Sequence, residues 1–262
     1  MRRFLPVILT MSCLVGVAVA ADDEALDPGR APGSVKRVLY RVQMMRSRGE
    51  NDEARPEIRD HLRDHPDQDH ALLEFHLGQV LALADSLEAA AAAFEKAVAL
   101  EPDLVPAWRN LGEVAYGLGR YGRAADAFGQ AALFDPEAPG QLRYYQGVAL
   151  LQAGRAVESL DVLADLVEGA GPSADLSWHR ALLSAAVEAD RVATVTGAFE
   201  DLTIAHPEEV EAWYLAYQQA AAALDYPRAA RNLTMAGYLR PLTRNERIQL
   251  GDLCLAADAP VR

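Results

Sequence analysis

Residues 105–137 read VPAWRNLGEVAYGLGRYGRAADAFGQAALFDPE. Apolar side chains recur at three- and four-residue spacing on both sides of a glycine-containing break, so the stretch predicts two helices joined by a tight turn. Small residues at Gly112, Ala124 and Ala131 fall where the two axes would come closest, since only a short side chain lets backbones approach. Pro136 ends the second helix, because proline has no amide proton to donate and its ring clashes with the preceding turn.

The preceding residues, 71–104, carry Leu77-Gly78, Ala90, Phe94, Ala97 and Pro102 at the offsets of Leu111-Gly112, Ala124, Phe128, Ala131 and Pro136. With Trp108 at position 4, this pattern resembles the 34-residue tetratricopeptide repeat. One departure is Ala115 at position 11, with Tyr116 one place later.

The same frame extends in both directions. Residues 35–68 offer Gly49, Ala54, Ile58 and Pro66, and residues 140–173 offer Gly147, Gly154, Ser159, Leu163 and Leu166. Residues 176–209 keep Phe199, Leu202 and Pro207, with an irregular first helix. Residues 210–243 carry Trp213, Tyr226, Ala229, Leu233, Ala236 and Pro241. A further segment, 244–257, holds Leu250-Gly251 at positions 7 and 8 and reads as a capping helix, with 258–262 as a tail. The resemblance implies an all-α superhelical solenoid of antiparallel helix pairs over residues 35–257. One pair cannot bury its apolar face alone, so each depends on its neighbours.

Residues 1–20 are set apart. Arg2-Arg3 precedes an apolar run over residues 4–19 that ends in Ala18-Val19-Ala20, the order of a cleaved secretory signal; the alternative is an inner-membrane anchor over residues 4–20. Residues 21–34 have two prolines, two glycines and no apolar period, which reads as a disordered leader. The expected location is the bacterial periplasm. Cleavage removes two arginines and no acid, taking the net charge from −13 to −15, which repels phosphate backbones and argues against nucleic acid as a partner. It also removes Cys13, leaving Cys254 without an intrachain partner, so the core must hold the fold.

In the repeat family, first-helix positions 2, 5, 9 and 12 line the concave groove that binds extended peptides or helices. Transferred to this chain, they give Leu72, Phe75 and Gln79; Arg109, Glu113 and Tyr116; Gln141, Tyr144 and Leu151; Arg180 and Ser184; Tyr214 and Gln218. The candidate partner-binding residues are Arg109, Glu113, Tyr116, Tyr144, Arg180, Tyr214 and Gln218, since tyrosine and arginine combine contact area with polar reach. Chaperone-binding relatives clamp a terminal carboxylate with a lysine and two asparagines; here Arg109 and Asn110 are present, but Glu113 stands where an asparagine is needed.

His61 and His65 have the i,i+4 spacing that can hold zinc, but position 27 and the following turn are expected to point them apart, and no metal or other cofactor is predicted. No phosphate loop, nucleophile elbow or cysteine–histidine pair is present. The resulting expectation is a non-catalytic adaptor that binds a protein of the bacterial envelope. The segments 236–243 and 250–257 are similar to the closing segment of repeat proteins associated with TonB-type energy-transducing systems, which gives an alternative role as an accessory of such transport. A motif-less enzyme or metal-binding periplasmic protein is the competing class.

Overall fold

The computed structural model describes residues 31–135 and 139–258; the signal segment 1–20, most of the leader and the tail 259–262 lie outside them. Among the described residues there are thirteen α-helices and no strand. The first pairs are α1 (Gly33–Ser47) with α2 (Asn51–Asp64), α3 (Ala71–Leu83) with α4 (Leu87–Leu100), and α5 (Val105–Gly117) with α6 (Tyr121–Phe134). They continue as α7 (Pro139–Gln152) with α8 (Ala156–Ala170), α9 (Leu176–Glu188) with α10 (Thr196–Ala205), and α11 (Val210–Ala222) with α12 (Tyr226–Leu239). The closing helix is α13 (Arg244–Asp258). Two compact bodies divide inside α7, the first running to Ala149 and the second starting at Leu150.

Every first helix ends in the same way. The fifteenth residue of each unit (Gly49, Asp85, Gly119, Gly154, Asp190, Leu224) has φ between 54° and 77°, the left-handed region. The next amide then donates back to a carbonyl five residues earlier: Glu50 to Met45, Ser86 to Leu81, Arg120 to Ala115, Arg155 to Leu150, Arg191 to Ala186 and Asp225 to Ala220, all at 2.8–2.9 Å. This is the Schellman closure, which satisfies carbonyls that a helix end leaves open and reverses the chain. Glycine meets the conformational demand without strain at three of the six positions; Leu224 meets it at a cost of about 1–2 kcal/mol.

Second helices are stopped by the proline beyond them. His65, Glu101, His206 and Arg240 precede prolines and have left the helical region. The ring of a following proline disfavours helical backbone at the residue before it. Residue 171 is glycine instead, with Pro172 one place later, and α8 runs one residue further.

Within a pair, the position-8 glycine is the contact point. A Cβ on Gly78 would stand 2.6 Å from the Phe94 ring, and one on Gly112 would stand 2.7 Å from Phe128. Both phenylalanines are fully buried. Between pairs, the Trp108 indole N–H donates to the Pro102 carbonyl at 2.7 Å and Trp213 donates to Pro207 at 2.8 Å. Position 4 of one unit is thereby tied to position 32 of the unit before. Tertiary contacts run between sequence-adjacent helices, and between alternate ones at α1 with α3, α3 with α5, α9 with α11 and α8 with α10.

Three expectations are corrected. The leader does not extend to residue 34, since α1 begins at Gly33 and Lys36 already donates to Pro32. In the fifth unit the first helix is regular and the second is the irregular one, opening as 3-10 turns over Val192–Val195 before α10. The run Val192-Ala193-Thr194-Val195-Thr196 is β-branched at four of five positions, and such side chains crowd the preceding helical turn. The closing helix extends to Asp258, one residue past its expected end.

Gly112→Ala is expected to destabilise the chain by about 1–3 kcal/mol, because the added Cβ would stand 2.7 Å from the ring of the fully buried Phe128. Leu224→Gly should instead raise stability by about 0.5–1 kcal/mol, the relief of left-handed strain exceeding glycine's extra unfolded-state entropy. Thermal or urea unfolding of the two variants beside the parent checks both signs.

Candidate functional site

On α5, Arg109, Glu113 and Tyr116 follow one another at four and three residues, so they form a single stripe along one helix face. All three are half-buried, as is Tyr144 near the start of α7. The rings of Tyr116 and Tyr121 meet edge to face with centroids 5.0 Å apart, and Tyr144 lies 5.7 Å from Tyr145. Burial, with Tyr121 and Tyr144 adding to it, raises the Tyr116 hydroxyl above its ordinary range. Burial also pushes the Glu113 carboxyl up to about 7, against the opposing pull of Arg109 one turn earlier.

The equivalent stripe in the second unit is closed. The family's positional rule puts Leu72, Phe75 and Gln79 on a groove, but all three are buried. The α3 sequence ALLEFHLGQVLAL is apolar nearly all round, the signature of an enclosed helix, and α1, α2, α4 and α5 all pack on it. Arg46 of α1 lies across this stripe and donates to Gln79 Oε1 at 2.7 Å, with His76 Nδ1 3.0 Å from both groups. Leu151 is buried as well, whereas Gln141 is exposed and the Ser184 hydroxyl bonds back to the Arg180 carbonyl.

In the second body, two of the three candidates serve the fold itself. Arg180 is ion-paired with Glu211, the second residue of α11. The Tyr214 hydroxyl accepts from Arg240, whose guanidinium also stands 5.2 Å from the centre of the same ring. Arg240 is bound in turn by Glu246 at 2.9 Å. Glu246 completes a capping box on α13: it accepts from the Thr243 amide at 2.6 Å, while the Thr243 hydroxyl accepts from the Glu246 amide at 3.3 Å. Arg240, Tyr214 and the Thr243 amide hold the Glu246 carboxyl down at about 2, and burial with Glu246 pushes Tyr214 up to about 12. The pattern Thr243-x-x-Glu246 was legible in the sequence as a helix start. Gln218 is exposed.

His61 and His65 do not point apart as expected; their ring centroids are 5.0 Å from each other. Among the described residues no group of three or more histidine, cysteine, aspartate or glutamate side chains is arranged to hold a metal ion. Beside the irregular start of the fifth unit's second helix lies a cavity of about 330 Å³ lined by α8, α9 and α10, with Val167, Leu182 and Leu202 among its apolar walls and His179 and His206 among its polar ones. The β-branched run at 192–196 was the sequence signal for this irregular start.

These pairs, closures and inter-unit ties define a helical-repeat solenoid. The tetratricopeptide repeat family matches residues 46–105 and 109–175, so the chain carries tetratricopeptide repeats there. Solved structures support the same fold. YrrB, described as a TPR protein with an unusual peptide-binding site, shares 20% identity over 74% of this chain and 97% of its own, with a TM-score of 0.53. A MamA crystal structure shares 14% identity over 67% of this chain and 93% of its own, with a TM-score of 0.54. No curated protein matches the chain.

Glu113 sets a pH dependence of known sign. Its folded value lies above that of an unfolded glutamate, so its contribution to stability is full below about 4.5 and is lost as pH rises through about 7. Glu113→Gln should flatten that part of the stability–pH profile, and denaturant unfolding of both proteins between pH 4.5 and 8 measures the difference.

Proposed function

We propose that this chain is a non-catalytic adaptor, exported to the bacterial periplasm, whose first-helix face holds an extended peptide or a helix of an envelope protein. The observation that carries the reading is the stripe of Arg109, Glu113 and Tyr116 with Tyr144 beside it: large side chains with polar ends, held half-buried on rigid helices. Such groups lose little freedom on binding and give the contact area that dominates protein interfaces. The fold likeness to YrrB, a TPR protein with an unusual peptide-binding site, is in keeping with it. Export rests on residues 1–20, with their basic start, apolar run and Ala-Val-Ala end.

A second reading, an accessory of a TonB-type energy-transducing system, rests on the closing segments 236–243 and 250–257. One experiment addresses both. The tagged full chain is expressed in its own cell, fractionated and cross-linked, and compared with the variant carrying Arg109→Ala, Tyr116→Ala and Tyr144→Ala. The expected result is a periplasmic chain beginning at Ala21, with an envelope protein cross-linked to the parent and lost from the folded variant. Recovery in the cytoplasm, or equal cross-linking by the variant, would remove the adaptor reading. Partners unrelated to energy transduction would remove the second.

A further inference from the structure

The fold gives partners to several acids that it draws away from water. Glu74, almost fully buried, meets Lys96 at 3.0 Å; Glu57 is ion-paired with Arg41, and Glu246 with Arg240. Glu113 is different. It is half-buried, and no described residue hydrogen-bonds or ion-pairs with its carboxylate; the charge of Arg109, one turn earlier on the helix, opposes the effect of burial. Arg109 has contacts of its own. A carboxylate removed from water without a partner opposes folding, so its place on an open stripe calls for a group brought from outside.

The surroundings define the chemistry of that group. Tyr116 lies one turn further along the same face, Tyr121 packs edge-on against it, and Tyr144 is close enough to influence its hydroxyl. Aromatic faces attract cations, and a partly desolvated carboxylate attracts them more strongly. A terminal carboxylate or phosphate would meet Glu113 in a chain of net charge −13 and be repelled. Guanidinium suits the place better than ammonium, being planar, weakly hydrated and able to stack on a ring while it pairs with a carboxylate through two N–H groups.

We propose that Glu113, Tyr116 and Tyr144 form a cation site that receives an arginine side chain of the bound segment, so that this part of the first-helix face selects basic peptides. The inference rests on the reading that the face binds peptide at all, and its test separates the two. A random 12-residue peptide library displayed on phage is panned against the folded full chain, and enriched peptides are synthesised with their arginine intact or replaced by glutamine. The expected peptides share an arginine at one position, and its replacement weakens binding about tenfold to a hundredfold. Glu113→Gln, which keeps size and shape, should bind the arginine peptide as weakly as the parent binds the glutamine peptide. Tyr116→Leu should also lose much of the preference for arginine. Enriched peptides without a basic residue, or a Glu113→Gln chain that still discriminates, overturn the cation site and leave the peptide-binding face standing. A library that yields no binder overturns both.

Discussion

The left-handed residue at the fifteenth position of each unit sets the geometry on which the remaining contacts depend. It turns the chain back on itself, and the six-to-one hydrogen bond after it fixes where the second helix begins. Only with that starting point fixed does the phenylalanine at position 24 arrive over the glycine at position 8. The proline at position 32 can then offer its carbonyl to the next unit's tryptophan. The fifth unit shows how separable this closure is from the helix after it. Asp190 and the Arg191-to-Ala186 bond are in place there, although the β-branched residues beyond them open the second helix as 3-10 turns. Direction is set by the turn, and regularity by the residues after it.

Much of this was legible because the punctuating residues act locally. Gly49, Gly119 and Gly154, the aspartates at equivalent places, and the prolines at 66, 102, 207 and 241 state their backbone preferences without reference to distant parts of the chain. Side-chain exposure along the first helices was less legible, since it depends on what lies over each unit. The positional rule placed Gln79 in a groove, whereas Arg46 from the preceding unit reaches across and binds it. The all-apolar α3 carried that warning, and a rule applied uniformly to every unit passed over it. For His61 and His65 the spacing could be read, but the approach of the rings depends on side-chain rotation that spacing does not encode.

The two bodies use similar side chains differently. Arg180 and Tyr214 are engaged by Glu211, Arg240 and Glu246, so their polar ends serve the joints between helices and the start of α13. On α5, Glu113 has no such engagement, and burial raises its carboxyl to about 7. Residues that break a local rule without an internal reward are where function is expected to reside, since elsewhere selection for stability would have replaced them. Glutamine at 113 would avoid the charge penalty with the same number of heavy atoms.

The concentration of tertiary contacts between adjacent and alternate helices has a kinetic meaning. Few residues distant in sequence must meet before structure begins to reward itself, so contact order is low and the entropic barrier to folding is small. A growing chain can complete early pairs before later ones are synthesised. In such a chain a damaged pair raises the local rate of opening without forcing every other pair to open with it, and fraying can proceed unit by unit. The 3-10 stretch at Val192–Val195 and the adjoining cavity make the fifth pair the natural place for such an opening to start.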